Sequence, residues 1–199
     1  MPNWTSNQIT VKGDKKNLDK FMSDAIRQED GSLSLSSWLP IPETYRKYDT
    51  TNHPDGNGLK VGEEWNDGFG SHGGQLVTEE LIEEFKKATA EQRKKYGVVG
   101  WYDYNLVTFG CKWDSEVEVE SEGEEQIVMF SQTPWSAPET WLRTISKKYP
   151  ELVFNLYAQY EEGFWEEMYF SNGRKGEVDS GEFNYEEVEM EEETDLPNE

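Results

Sequence analysis

The sequence predicts an α+β fold, a split βαβ antiparallel sheet with its helices on one face. Three observations carry this expectation. Asn7-Gln-Ile9-Thr-Val11 alternates polar and apolar as a half-buried strand does, and the apolar residues that follow at Leu18, Phe21, Met22, Ala25 and Ile26 keep helical spacing. The same order of strand, helix and strand returns late in the chain, in residues 127–157. Between the two lies a long segment without a clear period, which reads as an insertion.

The elements follow in order. Gly13-Asp14 closes the first strand, and Asp14 caps the first helix. Gly31-Ser-Leu33-Ser-Leu35 alternates as a short second strand, and Trp38-Leu-Pro40-Ile-Pro42 leaves it extended, because each proline disfavours helix in the residue before it. The inserted irregular and helical segment spans about residues 43–100. Within it Thr78 caps a helix whose first turn holds Glu79 and Glu80. Leu81, Ile82, Phe85 and Ala88 give it one apolar face, Arg93-Lys-Lys95 suits its C-terminal dipole, and Gly97 can end it.

Residues 106–109 and 112–117 read as a strand that leads into Ser115-Glu-Val-Glu-Val-Glu120, turns at Glu122-Gly123 and returns through Ile127-Val-Met-Phe130. Ser136-Ala-Pro138-Glu139 has the capping-box pattern ahead of a helix bearing Trp141, Leu142, Ile145 and Tyr149. A strand at residues 152–157 and a hairpin around Glu161-Glu-Gly163 complete a single domain at 1–175, with a further tight turn at Asn172-Gly173. Residues 176–199 contain no Lys or Arg and are expected to form an acidic C-terminal extension, partly disordered.

Composition limits function. The 199 residues carry a formal net charge of −22, so a nucleic acid or an anionic membrane is repelled and a basic protein surface is attracted. Hydrophobic content is 34%, but 8 Trp, 10 Tyr and 9 Phe supply apolar area enough for a folded core. The single cysteine, Cys111, needs no oxidising compartment. Met1-Pro-Asn-Trp-Thr-Ser lacks the basic and apolar regions of a leader, and no apolar run is long enough to cross a bilayer, so the cytoplasm is the expected location.

Several stretches together resemble a known family. Met1-Pro-Asn-Trp4 with Ser6-Asn7, Trp101-Tyr102 ahead of Phe109-Gly-Cys-Lys-Trp-Asp114, Phe130-x-Thr-x-Trp135-Ser-x-Pro138 and Tyr160-Glu-Glu-Gly163-Phe are similar to the Api92-like, YubB-type group of ferredoxin-like domain proteins carried by bacteriophages and plasmids. The resemblance covers most of residues 1–170. It implies a ferredoxin-like fold and a mobile-element origin, and no activity. Where this chain has Thr5 and Cys111, members of the group usually carry Cys and Thr, so any chemistry of the former cysteine is missing here.

The stretch with the strongest functional character is the acidic strand. In an extended strand, Glu116, Glu118 and Glu120 line one face and Val117 and Val119 the other; Glu122, Glu124 and Glu125 continue the charge. Carboxylates stacked at about 6.6 Å repel unless water or a cation screens them. These six glutamates are the expected partner-binding residues of a non-enzymatic protein that imitates a phosphate backbone and blocks a basic host or defence protein. The bland alternative is a solvated acidic surface.

A second reading places a metal- or ligand-binding module in the insertion, on His53, Asp55 and His72, although the spacing lacks a helical His-x-x-x-His. A third is an assembly or scaffold subunit. Cys111 reads as a small core residue rather than a nucleophile. Ferredoxin-like sheets also recognise RNA, but no basic aromatic strand is present and the charge has the wrong sign. No cofactor is expected, and the sequence does not set the oligomeric state.

Overall fold

The computed structural model describes residues 3–65 and 74–182. Its main sheet has seven strands: β1 (Trp4–Lys12), β2 (Leu33–Ser34), β5 (Glu116–Glu122), β6 (Gln126–Pro134), β7 (Val153–Tyr160), β8 (Phe164–Ser171) and β9 (Arg174–Glu182). The remaining strands, β3 (Glu64–Trp65) and β4 (Gln75–Leu76), pair in a small hairpin. Among the described residues there are five α-helices: α1 (Lys15–Ser23), α2 (Glu43–Arg46), α3 (Glu79–Tyr96), α4 (Trp101–Phe109) and α5 (Glu139–Lys148).

The sheet order is β2-β5-β6-β1-β7-β8-β9, and every pairing is antiparallel. At its centre, β1 and α1 lead to β5 with β6 lying between the two strands. Likewise β6 and α5 lead to β7 with β1 between them. This is the split βαβ pattern twice over, a ferredoxin-like sheet extended by β2 on one edge and by β8 and β9 on the other.

One face of the sheet is buried. Thr5, Asn7, Ile9 and Val11 of β1 point into it, as do Met129 and Ile127 of β6 and Phe154, Leu156 and Ala158 of β7. Leu18 and Phe21 of α1 and Trp141, Leu142 and Ile145 of α5 cover them. The core is aromatic. The Phe21 ring stacks on Trp38 at 4.9 Å and meets Tyr149 edge-on at 5.2 Å, and Trp38 meets Trp141 at 5.8 Å. Both indole N–H groups are satisfied: Trp38 donates to the Phe21 carbonyl and Trp141 to that of Leu35, each at 2.9 Å. Truncating such a ring costs about 3–5 kcal/mol.

The helices begin and end where their chemistry directs. Asp14 accepts from the Asn17 N–H at 2.9 Å and opens α1. Thr78 accepts from Leu81 N–H at 3.1 Å and opens α3, which runs unbroken to a left-handed Gly97. The insertion has an apolar cluster of its own, in which Trp65, Val77, Leu81 and Phe85 pack with Tyr48 and Ile82. Buried Gln92 ties α3 to its surroundings: its Nε2 donates to the Thr44 carbonyl, and its Oε1 accepts from Thr50 Oγ1 and from Gly100 N–H.

Five expectations are corrected. Residues 106–109 are not a strand but the end of α4; the helix has no apolar stripe, since Tyr104, Asn105 and Phe109 face inward while Leu106 and Val107 stay exposed, and the left-handed Gly110 closes it. The added elements between α1 and β5 therefore reach Phe109, beyond residue 100. The first helix stops at Ser23, so Ala25 and Ile26 leave its stripe: Asp24 is its C-cap, and Ile26 N–H bonds the Ser37 carbonyl. No capping box forms at α5, because the Ser136 hydroxyl donates to the Gly110 carbonyl at 2.7 Å and Pro138 is itself the N-cap. Finally, β9 pairs with β8 across Gly176 as far as Glu182, so the start of the acidic extension is sheet; residues 183–199 lie outside the described residues.

Candidate functional site

The second face of the sheet is the one that the helices leave open. Its residues are fixed by strand register. Across six strands, Glu118, Phe130, Gln8, Tyr157, Glu167 and Asp179 stand in one row. In the neighbouring row Gln132, Ser6, Gln159 and Trp165 face Gly181, where an added Cβ would come within 2.7 Å of Trp165 Nε1. The missing side chain at Gly181 lets the indole lie against that strand. Tyr157 packs beside Trp165 at 5.6 Å.

The acidic strand sits on this face as far as its register holds. Val117 is buried and Val119 packs against the core, while Glu116 and Glu118 are exposed on the opposite side. A bulge between Val119 and Ser121 then inserts Glu120 as an extra residue, so Ser121 stands opposite Val128 and Glu122 opposite Ile127. The expected ladder of three thus holds for Glu116 and Glu118 and breaks at Glu120, because one added residue shifts every later side chain by half a period. Glu120, Glu122, Glu124 and Glu125 are all exposed, along the strand end and turn.

The charge is not neutralised locally. Among the described residues no ion pair involves any of these six glutamates. Lys15 feels the field of Glu124 and Glu122, but its own pKa is raised chiefly by the hydrogen bond it gives Asp19 at 2.7 Å. Strand β2 covers only Glu116 and Val117 of β5, which leaves the rest of that edge free. The bulge and the charges there discourage pairing with a second sheet.

A shallow groove of about 980 Å³ runs along this end of the face. Glu116, Glu118 and Phe130 line it, together with Trp4, Trp113 and Arg27. Phe130 is 37% exposed although it is central in the sheet. Asp114, also on the groove, is already engaged: it accepts from Ser34 Oγ at 3.0 Å and from Ser36 N–H at 2.9 Å, fixing the loop that enters β5.

Beside the groove three tryptophans from distant parts of the chain meet. Trp4 lies 6.2 Å from Trp113, and Trp113 lies 5.7 Å from Trp135. The Lys112 ammonium stands over Trp113 at 4.9 Å, Trp135 at 5.1 Å and Tyr102 at 5.9 Å. Trp135 is 50% exposed and has a φ of +64°, the left-handed region that a bulky residue rarely enters. Its N–H donates to the Asn3 carbonyl at 2.8 Å, which helps to hold it there. Reading the sequence for carboxylates misses this cluster. A signal was present, since Trp4 alternates with Ser6 and Gln8 on the polar side of β1, and Phe130 with Gln132 on that of β6.

The insertion residues are arranged differently. Asp55 is held by the Arg93 guanidinium through two bonds of 3.0 and 3.2 Å, and His53 Nδ1 meets the Asn57 carbonyl at 3.1 Å while its ring packs edge-on against Phe85. His72 lies outside the described residues. Among the described residues no group of three or more His, Cys, Asp or Glu is placed to hold a metal ion. Cys111 is fully buried, its thiol faces the Trp113 carbonyl at 3.3 Å, and burial together with Asp114 pushes its pKa up to about 12. A thiol in that state is a poor nucleophile.

A family model agrees with the fold. Residues 108–198 match the family model of the ferredoxin-like domain in Api92-like protein. That range holds β5, β6, α5 and β7 to β9, to which the N-terminal β1 adds the central strand. Among solved structures the chain is similar to the crystal structure of a protein api92 from Yersinia pseudotuberculosis, at 10% identity and a TM-score of 0.48, over 92% of this chain and 99% of that one. No curated protein matches. Among the described residues no helix is long and apolar enough to cross a membrane.

Proposed function

We propose that this protein is a non-enzymatic accessory protein of a bacteriophage or plasmid. It acts in the cytoplasm of its host by binding the basic, nucleic-acid-handling surface of a host or defence protein and blocking it. The observation that supports this reading is the placement of Glu116 and Glu118. They stand exposed on an uncovered sheet face, along a groove, without an ion pair among the described residues, and the acidic edge from Glu120 to Glu125 continues from them.

The physical case rests on geometry and sign. Carboxylates about 6.6 Å apart along a strand, fixed by a rigid sheet, offer regularly spaced negative charge to Lys and Arg side chains that otherwise track phosphates. A net charge of −22 adds a long-range field that speeds encounter with a cationic surface and turns nucleic acid away. Exposed aromatics on the same face supply the apolar contact area that charge alone lacks.

The test is a comparison of wild type with the triple reversal Glu116→Lys, Glu118→Lys, Glu120→Lys. Proteins retained from a bacterial extract at low salt by the wild type are expected to be released by a salt step and to be lost with the reversal. Their nucleic-acid binding is expected to fall as the purified wild type is added. If a folded triple variant retains the same proteins and inhibits them equally, the acidic strand is a solvated surface and the reading fails.

A further inference from the structure

The groove beside the acidic strand has an aromatic wall, and its chemistry selects among cations. We propose that the wall formed by Trp4 and Trp113 receives an arginine side chain of the basic partner, the guanidinium lying on the indole and its edge turned toward Glu116 and Glu118. The inference rests on the acidic-face reading and deepens it, by naming the partner side chain that the face prefers over lysine.

Four observations lead there. Trp4 and Trp113 line the same groove as Glu116, Glu118 and Phe130, so indoles and carboxylates border one space. The electrostatic preference of these rings is visible in the molecule itself, since the Lys112 ammonium stands 4.9 Å from the centre of Trp113 and 5.1 Å from that of Trp135. Lys112 does not line the groove, and Arg27, which does, gives its Nη1 to the Gly31 carbonyl at 2.9 Å. The cluster is also held in place before any partner arrives. Trp4 is in strand register opposite Pro134, Trp113 is packed between Trp4 and Trp135, and Trp135 keeps a left-handed backbone conformation that a bulky residue rarely adopts.

Arginine and lysine satisfy this site unequally. A guanidinium is planar and weakly hydrated, stacks on an indole face and still directs its in-plane N–H groups at carboxylates. An ammonium is a compact, strongly hydrated charge that gains from the glutamates and much less from the wall. Groups of the opposite kind are disfavoured: the base of a nucleotide could stack on the rings, but the nucleotide's phosphate would be repelled by Glu116 and Glu118.

The experiment uses the full chain with two fluorescently labelled probes, nona-arginine and nona-lysine, at low ionic strength. Nona-arginine is expected to bind roughly five- to thirtyfold more tightly than nona-lysine. Trp4→Ser, which removes a partly exposed ring at the end of β1, is expected to abolish that preference by weakening nona-arginine to the level of nona-lysine. In wild type, nona-arginine but not nona-lysine is expected to shift the indole N–H resonances of Trp4 and Trp113, a readout that does not depend on how the variant folds. Equal binding of the two peptides, or a preference that survives in folded Trp4→Ser, overturns the arginine site and leaves the acidic face standing. Failure of both peptides to bind overturns the acidic-face reading and this inference with it.

Discussion

Glu118 stands directly across from Phe130, a carboxylate paired with an exposed ring on the sheet face that no helix covers. Neither residue supports the core beneath, where Val117, Val119 and Met129 occupy the other side of the same two strands. Glu116 lies on the same side of β5 as Glu118, about 6.6 Å along the strand. In water, two charges at that distance repel by roughly 0.6 kcal/mol before salt screening.

Replacing Glu116 and Glu118 by Gln is therefore expected to leave stability unchanged or to raise it, by no more than about 0.5 kcal/mol at low salt and by nothing measurable at high salt. Urea denaturation at two ionic strengths checks this. A large loss of stability at either one would mean that the carboxylates hold the sheet together, which the absence of partners among the described residues does not suggest.

Two glycines with positive φ separate backbone conformation from space. Gly97 has a φ of +79° with nothing within 4 Å of an added Cβ, so Gly97→Ala is expected to cost about 1 kcal/mol. Gly100 has a φ of +85°, and a Cβ there would lie 2.7 Å from Thr51 Cα and 2.9 Å from Thr51 N. Because that neighbour is backbone, Gly100→Ala is expected to cost about 3 kcal/mol or more. Thermal or urea unfolding of the two variants side by side tests the difference, and equal losses would refute the close approach.

Cys111 is expected to be silent in the native protein. With no exposed surface and a thiol pKa pushed up to about 12, it should react with a disulfide reagent at neutral pH orders of magnitude more slowly than after unfolding. Rapid native-state labelling would show that the loop between α4 and β5 opens readily.

Two solvent-accessible carboxyls should make a small, assignable contribution to the acid side of the stability profile. The Asp24 carboxyl is held below its ordinary 3.8, first by the Lys20 ammonium at 2.6 Å and then by the Tyr149 hydroxyl at 3.1 Å. Asn155 and then Tyr169 hold Glu167 below 4.5. A carboxyl with a lowered folded pKa contributes stability in full above its unfolded value and loses it as pH falls through the folded one. Stability is thus expected to drop at the acid end below about pH 4, and Asp24→Asn to make that limb shallower. An acid limb identical in variant and wild type would remove Asp24 from the account.

What the sequence determined alone was whatever is encoded within a few residues. The alternation in β1, the Asp14 and Thr78 caps, the apolar stripe of α3, the turns at Gly123, Gly163 and Gly173, and the burial of Val117 beneath exposed Glu116 and Glu118 all follow from side-chain period and local hydrogen bonds. Repeating the strand-helix-strand order was enough to predict the split βαβ sheet. Residues 101–109 escaped that logic. They are apolar on both sides, so neither period stands out, and packing between α5 and the Tyr45 and Tyr96 rings decides for helix.

The tertiary structure alone decided the candidate site. No local rule places the bulge at Glu120, which depends on how β5 registers against β6. Nor does any local rule bring Trp4, Trp113 and Trp135 together, since they come from the first strand, the loop before β5 and the turn after β6. They meet because β1 lies next to β6 in the sheet, an order set by burying one face against α1 and α5. The face left over, with its glutamates and rings, is a consequence of that burial.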